Sequence, residues 1–360
     1  MRRPPMSMSR LPMLRVCVTS RCNMRCIYCT SGGECRGHYE DADLRTLIRL
    51  IKLLNELGIK DIRVTGGEPL LYDELPELLT AISSLKARVS LVTNGWLLGD
   101  YIELLSNLKL DEVTVSVDAT NPEAYAFITG TRADVYYEVI DNIKRLVERG
   151  VRVRINSVAL KGVNYPSITP LVALSRGLGT DLKLIELIST CSSAVWARYH
   201  VVPDPLCVYS QVADDIVDIS LKWLPRGLGV PMATFRFKWG RELMVVSTAL
   251  GSTYHGDCLR CKFFPCQTGL YAIRLLPDGS LLPCLMRNDN MLKLDELSST
   301  EARRRCKELL KRYGETVWLC PRPQLVNDLL SLKVTMRDKA LSATRFSGCT
   351  HATKSLVCVS

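Results

Sequence analysis

The sequence predicts an α/β fold in which six strand–helix units build a parallel sheet that curls into a full or partial barrel, followed by a smaller α+β domain. Three observations lead there. Short β-branched runs alternate with helix-periodic stretches from residue 14 to about 195. Gly66, Gly67, Glu68, Thr93, Asn94, Ser116, Asn156 and Glu186 all fall at or near the ends of those runs, on the face where barrels of this kind keep their working residues. Beyond about 195 the alternation weakens, and a cysteine-bearing segment containing Cys258, Cys261, Cys266 and Cys284 takes over.

Taken in order, residues 1–13 read as a flexible leader with prolines at 4, 5 and 12. A buried strand is expected over 14–19. Residues 41–58 form a helix, because Leu44, Leu47, Ile48, Ile51, Leu54 and Leu57 recur at three- and four-residue spacing before Gly58. Strands follow at 62–65, 89–93, 112–117, 151–158 and 182–187, with helices at about 74–85, 100–108, 136–149 and 167–177. Right-handed crossovers repeated in this way curl the sheet. The domain division is then 14–195 for the barrel, 196–300 for a second domain and 301–360 for a poorly assigned helical tail. The second domain should hold a helix near 208–223, strands around 233–247 and a hairpin turning at Pro277-Asp278-Gly279. A basic helix is expected over 301–313.

Composition bounds the function. Of the 360 residues 47% are hydrophobic and 23% charged, ordinary for a globular chain. No apolar run reaches the roughly 20 residues needed to cross a bilayer. The start, Met1-Arg2-Arg3-Pro4-Pro5-Met6, lacks the apolar stretch of a signal peptide, so a cytoplasmic location without membrane attachment is the expectation. The net charge of +10 favours an anionic partner, a phosphorylated small molecule or nucleic acid, or is a solvated basic surface. Fifteen cysteines in a chain of this size point to metal or cluster binding more than to disulfides.

Cys22, Cys26 and Cys29 stand on one short loop directly after the first strand. Three thiolates so placed can hold three irons of a cuboidal 4Fe–4S cluster, whose usual complement is four cysteines. The fourth iron then stays open to bind S-adenosylmethionine and pass it an electron. The alternatives are a zinc knuckle or buried apolar thiols. Cys258, Cys261 and Cys284 suit zinc or iron–sulfur equally by spacing.

The Cys-x-x-x-Cys-x-x-Cys loop, with Tyr28 before its last cysteine, resembles the signature of the radical S-adenosylmethionine (SAM) superfamily. Thr65-Gly66-Gly67-Glu68-Pro69 is similar to its second motif, which contacts the methionyl amine. The resemblance selects a partial (βα)6 TIM-type radical SAM barrel followed by a smaller α+β iron–sulfur domain. Residues 274–290, together with 15–22, 57–71, 115–118, 121–130 and 152–158, resemble GTP 3′,8-cyclases, the first enzymes of molybdenum cofactor biosynthesis, and most of all their archaeal members. This implies two 4Fe–4S clusters, the second on Cys258, Cys261 and Cys284 with an open iron for the guanine of GTP. Cys22, Cys26 and Cys29 are then catalytic, together with Arg63. Tyr28, Gly66, Gly67, Glu68, Thr93 and Ser116 are candidate cofactor contacts. Arg15, Arg63, Arg154, Lys183 and Arg274 are candidate triphosphate contacts, which their charge and donors suit. An electron donor such as ferredoxin or flavodoxin is implied, and a homodimer is left open.

The chain departs from that family in four places. Twenty-two residues separate Cys261 from Cys284, a longer interval than the family's, and the insert carries Cys266, a candidate fourth ligand. Asp61 and Ala272 stand where the family has a lysine and an arginine, and the chain ends without the family's glycine pair. If Cys266 closes the second cluster, a peptide or protein maturase becomes the alternative. A nucleic-acid-binding iron–sulfur protein is a rival of another class, but the sequence shows no aromatic-rich basic groove, so nucleic acid is not the expected partner.

Overall fold

The structure, a computed structural model, describes residues 11–30, 33–35, 37, 39–108, 110–190, 192–223, 228–287, 289–294 and 297–343. The leader up to residue 10, Asn288 and the chain end from 344 onward, including its terminal residues, lie outside the described residues.

Six parallel strands form the centre, each hydrogen-bonded to the next in chain order: β1 (Met13–Cys17), β2 (Asp61–Thr65), β3 (Arg88–Thr93), β4 (Glu112–Ser116), β5 (Val153–Ala159) and β6 (Asp181–Glu186). Every one was expected, to within two residues at its ends. Neighbours in sequence pair in space because each intervening helix returns the chain to the same edge. The helix Leu44–Glu56 illustrates why: Asp43 caps it by accepting from the Thr46 amide at 2.8 Å, and Leu47, Leu50, Ile51 and Leu54 are fully buried on one face. Truncating one of them, Leu54→Ala for instance, would cost about 2–5 kcal/mol.

Alternate strand residues serve different ends, because side chains alternate between the two faces of a strand. Leu14 and Val16, Ile62 and Val64, Val113 and Val115, and Leu182 and Leu184 are buried in the core. Their neighbours Arg15, Arg63, Ser116 and Lys183 line the internal cavity.

The partial barrel is the middle of a longer sheet of eleven strands. Beyond β6 run β9 (Glu242–Val246), parallel to it, then β8 (Met232–Phe237) and β7 (Ile216–Lys222), both antiparallel to their inner neighbours. Beyond β1 lie β11 (Ala272–Leu275), parallel, and β12 (Leu281–Leu282), its hairpin partner. The two ends of the sheet do not meet. A separate pair, β10 (Ser252–His255) and β13 (Thr316–Leu319), is antiparallel.

One expected element is corrected. The helix placed near 208–223 is only Pro205–Ser210, and 216–222 is strand β7. Ile216, Val217 and Ile219 are β-branched, and the open edge of β8 gives them a ladder, so pairing overrides the helical reading. Three helices among the described residues are additional, the short Ser193–Tyr199 being one of them. Pro122–Thr129 is capped by Asn121 and packs behind the cysteine loop, and Pro323–Ala343 follows the basic helix, which spans Ser299–Gly314.

Candidate active site

Cys22, Cys26 and Cys29 sit on the loop between β1 and the helix Leu44–Glu56 as free thiols. Two supports hold that loop. Helix Pro122–Thr129 receives it, with the Arg25 amide donating to the Thr129 carbonyl and the Ile27 amide to Ile128, both at 2.8 Å. On the other side the turn after β2 docks against it: the Gly67 amide donates to Thr19 O and the Glu68 amide to Arg21 O, both at 2.7 Å. That approach requires glycine. A Cβ on Gly66 would stand 2.5 Å from the Thr19 carbonyl oxygen, and one on Gly67 would stand 2.2 Å from that of Arg21.

Glu68 is buried at the cavity wall. Its carboxylate accepts from Leu70 N at 3.0 Å, Thr93 Oγ1 at 2.6 Å and Asn94 N at 2.7 Å. Burial nevertheless pushes its pKa up to about 7, against those hydrogen bonds. Thr93 also accepts from the Gly95 amide at 3.0 Å, so it acts by fixing Glu68. Asn94 bridges to the cysteine loop through Asn23 Oδ1 at 2.6 Å. Tyr28 lines the cavity with its ring and donates its hydroxyl to Asp118. Burial raises Asp118 to about 6, although Tyr28 and the Val158 amide both favour its ionised form. Ser116 lies beside Asn156 in the β4–β5 register, and the buried Asn156 Oδ1 has no partner.

One pleat deeper along the strands the cavity turns cationic. Arg274 of β11, Arg15 of β1 and Arg63 of β2 are in direct register on three adjacent parallel strands. Lys183 lines the same space and makes no ion pair among the described residues. Burial, and then Arg63, Arg154 and Arg15, hold the Lys183 ammonium well below its usual range. Burial and Arg15 likewise lower Arg63 to about 10. Arg154 is placed differently: it pairs with Glu112 and does not line the cavity. Arg63 also reaches Glu112, at 3.8 Å. Glu34, which no motif flagged, takes a two-pronged hydrogen bond from Arg15 and stands 3.7 Å from Arg274 Nε. Arg15, Glu68, Thr93, Ser116 and Asn156 open onto one space of about 1980 Å³, which includes solvent at its mouth.

Cys258, Cys261 and Cys284 come together in a neighbouring pocket of about 690 Å³, and Cys266 lines it with them. The insert therefore returns its thiol to the group. Phe264 in that insert packs edge-on against Tyr254, centroids 5.1 Å apart. Thr268 and Leu285 face the main cavity while Cys266 and Cys284 face the second pocket, so these segments form the wall between the two.

The radical SAM superfamily profile matches residues 16–174. The probable GTP 3′,8-cyclase of Methanothermobacter thermautotrophicus is 34% identical over 285 residues, spanning 78% of this chain and 86% of that protein. The chain belongs to the GTP 3′,8-cyclase family of radical SAM enzymes. The Methanothermobacter marburgensis relative, also a probable GTP 3′,8-cyclase, is 33% identical, spanning 81% of this chain and 89% of that protein. The Aquifex aeolicus GTP 3′,8-cyclase is 29% identical, spanning 76% and 82%. In fold, the chain is similar to Streptococcus suis SuiB bound to S-adenosylmethionine, with a TM-score of 0.59 at 18% identity, covering 81% of this chain and 65% of SuiB's length.

Radical SAM enzymes carry a 4Fe–4S cluster and S-adenosylmethionine, and the residues present fit both. Among the described residues no three His, Cys, Asp or Glu side chains converge to hold a single ion. Thiolates on a cuboidal cluster each take a different iron and need not converge. Three free thiols and an unpaired buried amide oxygen, all lining the same cavity, are the donor set such a cluster and a polar cofactor require. No helix among the described residues is long and apolar enough to cross a membrane.

Proposed function

We propose that this radical SAM enzyme cyclises GTP to (8S)-3′,8-cyclo-7,8-dihydroguanosine 5′-triphosphate in molybdenum cofactor biosynthesis. The observation that carries the reading is the in-register row Arg274, Arg15 and Arg63, with Lys183 beside it, in the same cavity as the first cysteine triad. A triphosphate is the ligand that such a buried set of cations, which outnumber the carboxylates Glu34 and Glu112 facing them, suits.

Cys22, Cys26 and Cys29 hold the first cluster, which together with S-adenosylmethionine supplies a 5′-deoxyadenosyl radical. Gly66 and Gly67 let the backbone close on the methionyl end, and Glu68 receives its ammonium. Thr93 orients Glu68, and Ser116 with Asn156 offers polar contacts at the ends of β4 and β5. Tyr28 positions the loop through Asp118. Arg15, Arg63, Lys183 and Arg274 hold the phosphates, so the ribose between them is presented to the mouth of the cavity. Val92, Val158 and Ile185 along the walls keep water from the reacting centre. Arg154 supports this set from below through Glu112. Cys258, Cys261 and Cys284 hold a second 4Fe–4S cluster. A cytoplasmic location, ferredoxin or flavodoxin as electron donor, and homodimer formation belong to the same proposal.

The test is anaerobic reconstitution and reduction with S-adenosylmethionine and GTP. The expected result is 5′-deoxyadenosine formed in step with GTP loss. 5′-Deoxyadenosine formed at a rate indifferent to GTP, with GTP recovered intact, would overturn the substrate assignment and leave the radical SAM chemistry standing. One observation supports a second reading: Cys266 lies with the other three thiols. Four thiolates would complete the second cluster and remove its open iron, which suits a maturase acting on a peptide or protein.

A further inference from the structure

The buried arginines in and behind the cavity are neutralised in two different ways. Arg63 and Arg154 share Glu112, a residue of strand β4 itself. Arg15 and Arg274 have no such strand-borne partner. Their anion is Glu34, which arrives from outside the sheet on the single turn Gly33–Cys35, five residues after Cys29. Nε and one terminal Nη of Arg15 donate to the two oxygens of Glu34. Arg274, 2% exposed, leaves its Nε 3.7 Å from that carboxylate and without a hydrogen bond. Arg274 is therefore only half served, one Nη donating to the Tyr271 hydroxyl at 3.0 Å, and Lys183 makes no ion pair among the described residues.

The turn that brings Glu34 is anchored by its backbone and by Cys35, which is buried with Cys17, Leu276 and Leu282, so only the Glu34 side chain is free to move. The Gly33 amide bonds to Thr30 O at 3.0 Å, the Glu34 amide bonds to Gly66 O at 3.3 Å, and the Cys35 thiol donates to Thr19 O at 3.1 Å. A guanidinium fork that accepts a carboxylate edge-on accepts a phosphate in the same geometry. A phosphate group brings more charge and a third oxygen, enough to reach the Arg274 Nε that Glu34 leaves unmet.

We propose that Glu34 is a placeholder anion, occupying Arg15 and Arg274 until the phosphate groups of the substrate displace it. This rests on the reading of an anionic, phosphorylated substrate. Glu34 lowers the apparent affinity for that substrate, since the two compete for one pair of guanidinium groups. It also links the two ends of the cavity: phosphate binding frees the Glu34 side chain on the turn that follows Cys29, so the charge beside the loop holding the first cluster changes when substrate is present.

The experiment titrates inorganic triphosphate into the reconstituted, unreduced holoenzyme at fixed ionic strength, comparing the parent with Glu34→Gln and Glu34→Asp. Glutamine keeps the shape and removes the charge. Aspartate keeps the charge but, one methylene shorter, cannot hold the Arg15 fork from the same backbone position. The expected result is that E34Q binds triphosphate about tenfold more tightly, as removal of one competing unit charge warrants, with iron content at the parent level. E34D should fall between the two. Binding that is unchanged or weaker in both variants overturns the proposal. So does loss of first-cluster iron in both, since Glu34 would then be a structural strut of the loop. The arms also separate this proposal from the GTP reading. Tighter triphosphate binding that GTP cannot displace leaves the placeholder standing and sinks GTP. GTP turnover with an unchanged KM in E34Q does the reverse.

Discussion

The hydroxyl of Tyr28 donates to the carboxylate of Asp118, tying the cysteine loop to the end of β4 across ninety residues of chain. The other Asp118 oxygen accepts from the Val158 amide at 2.6 Å, so the loop, β4 and β5 meet at one buried acid. Tyr28→Phe leaves that carboxylate one donor short. The expected cost is about 1–3 kcal/mol, seen as a lower thermal midpoint of the apoprotein and faster loss of cluster iron to a chelator. A variant that keeps both at parent values would show that Tyr28 serves only through its ring.

Gly67 lies where the turn after β2 meets the cysteine loop, and its absent side chain is what allows the contact. Gly67→Ala forces a Cβ to within 2.2 Å of the Arg21 carbonyl oxygen, a backbone atom that cannot step aside. The turn must retreat and take Glu68 with it. S-Adenosylmethionine binding should fall at least tenfold while circular dichroism of the barrel is retained. Alanine tolerated with unaltered binding would mean that the cofactor does not use this turn.

Glu68 makes cofactor binding sensitive to pH. Its carboxyl, held near 7 by burial, carries a proton at pH 6 and loses most of it by pH 7.5. An ammonium pairs with the ionised form only, so affinity for S-adenosylmethionine should rise several-fold across that interval. The α-amino group of the ligand titrates at about 7.7–8.0, above that interval. The sign reverses for the protein without ligand: the carboxyl is ionised at lower pH in the unfolded chain than in the fold, so stability falls as pH climbs from about 4.5 towards 7. Equilibrium dialysis of the unreduced holoenzyme measures the first effect, and Glu68→Gln should flatten it. A flat profile in the parent would remove Glu68 from the ammonium site.

Cys266 decides between the two functional readings. With three ligands, Cys266→Ala keeps iron near that of two 4Fe–4S clusters, and GTP still perturbs the spectrum of the second. With four, the variant loses or destabilises that cluster, and GTP leaves the parent spectrum unaltered. Iron analysis and electron paramagnetic resonance of the parent and variant, with and without GTP, read both outcomes.

Much of this protein is legible along the chain, and the reason is local. Helix 44–56 announces itself through the spacing of Leu47, Ile51 and Leu54, and β1 through β6 through short apolar runs that stop at glycine or polar residues. The cysteine loop and the turn 65–69 are legible because each gathers its chemistry within a few consecutive residues. Strand β7 was not legible as a strand: a stretch with Ile216, Val217 and Ile219 becomes one because β8 offers an open edge, and that edge exists only once the sheet has formed.

The same limit governs the site. The sequence by itself carried the family resemblance, since Cys22, Cys26, Cys29 and Glu68 stand within two short motifs that resemble those of radical SAM enzymes. Only the tertiary structure decided which charges neutralise which. Arg274 meets Arg15 because β11 joins the sheet on the outer side of β1, about 260 residues away in the chain. Glu34 meets both because a turn in the cysteine loop folds over that row, and Arg154 is drawn away from the cavity by Glu112 of the neighbouring strand. A side chain's pairing follows from strand register and loop closure, which sum over the whole chain, whereas a motif needs only its own few residues.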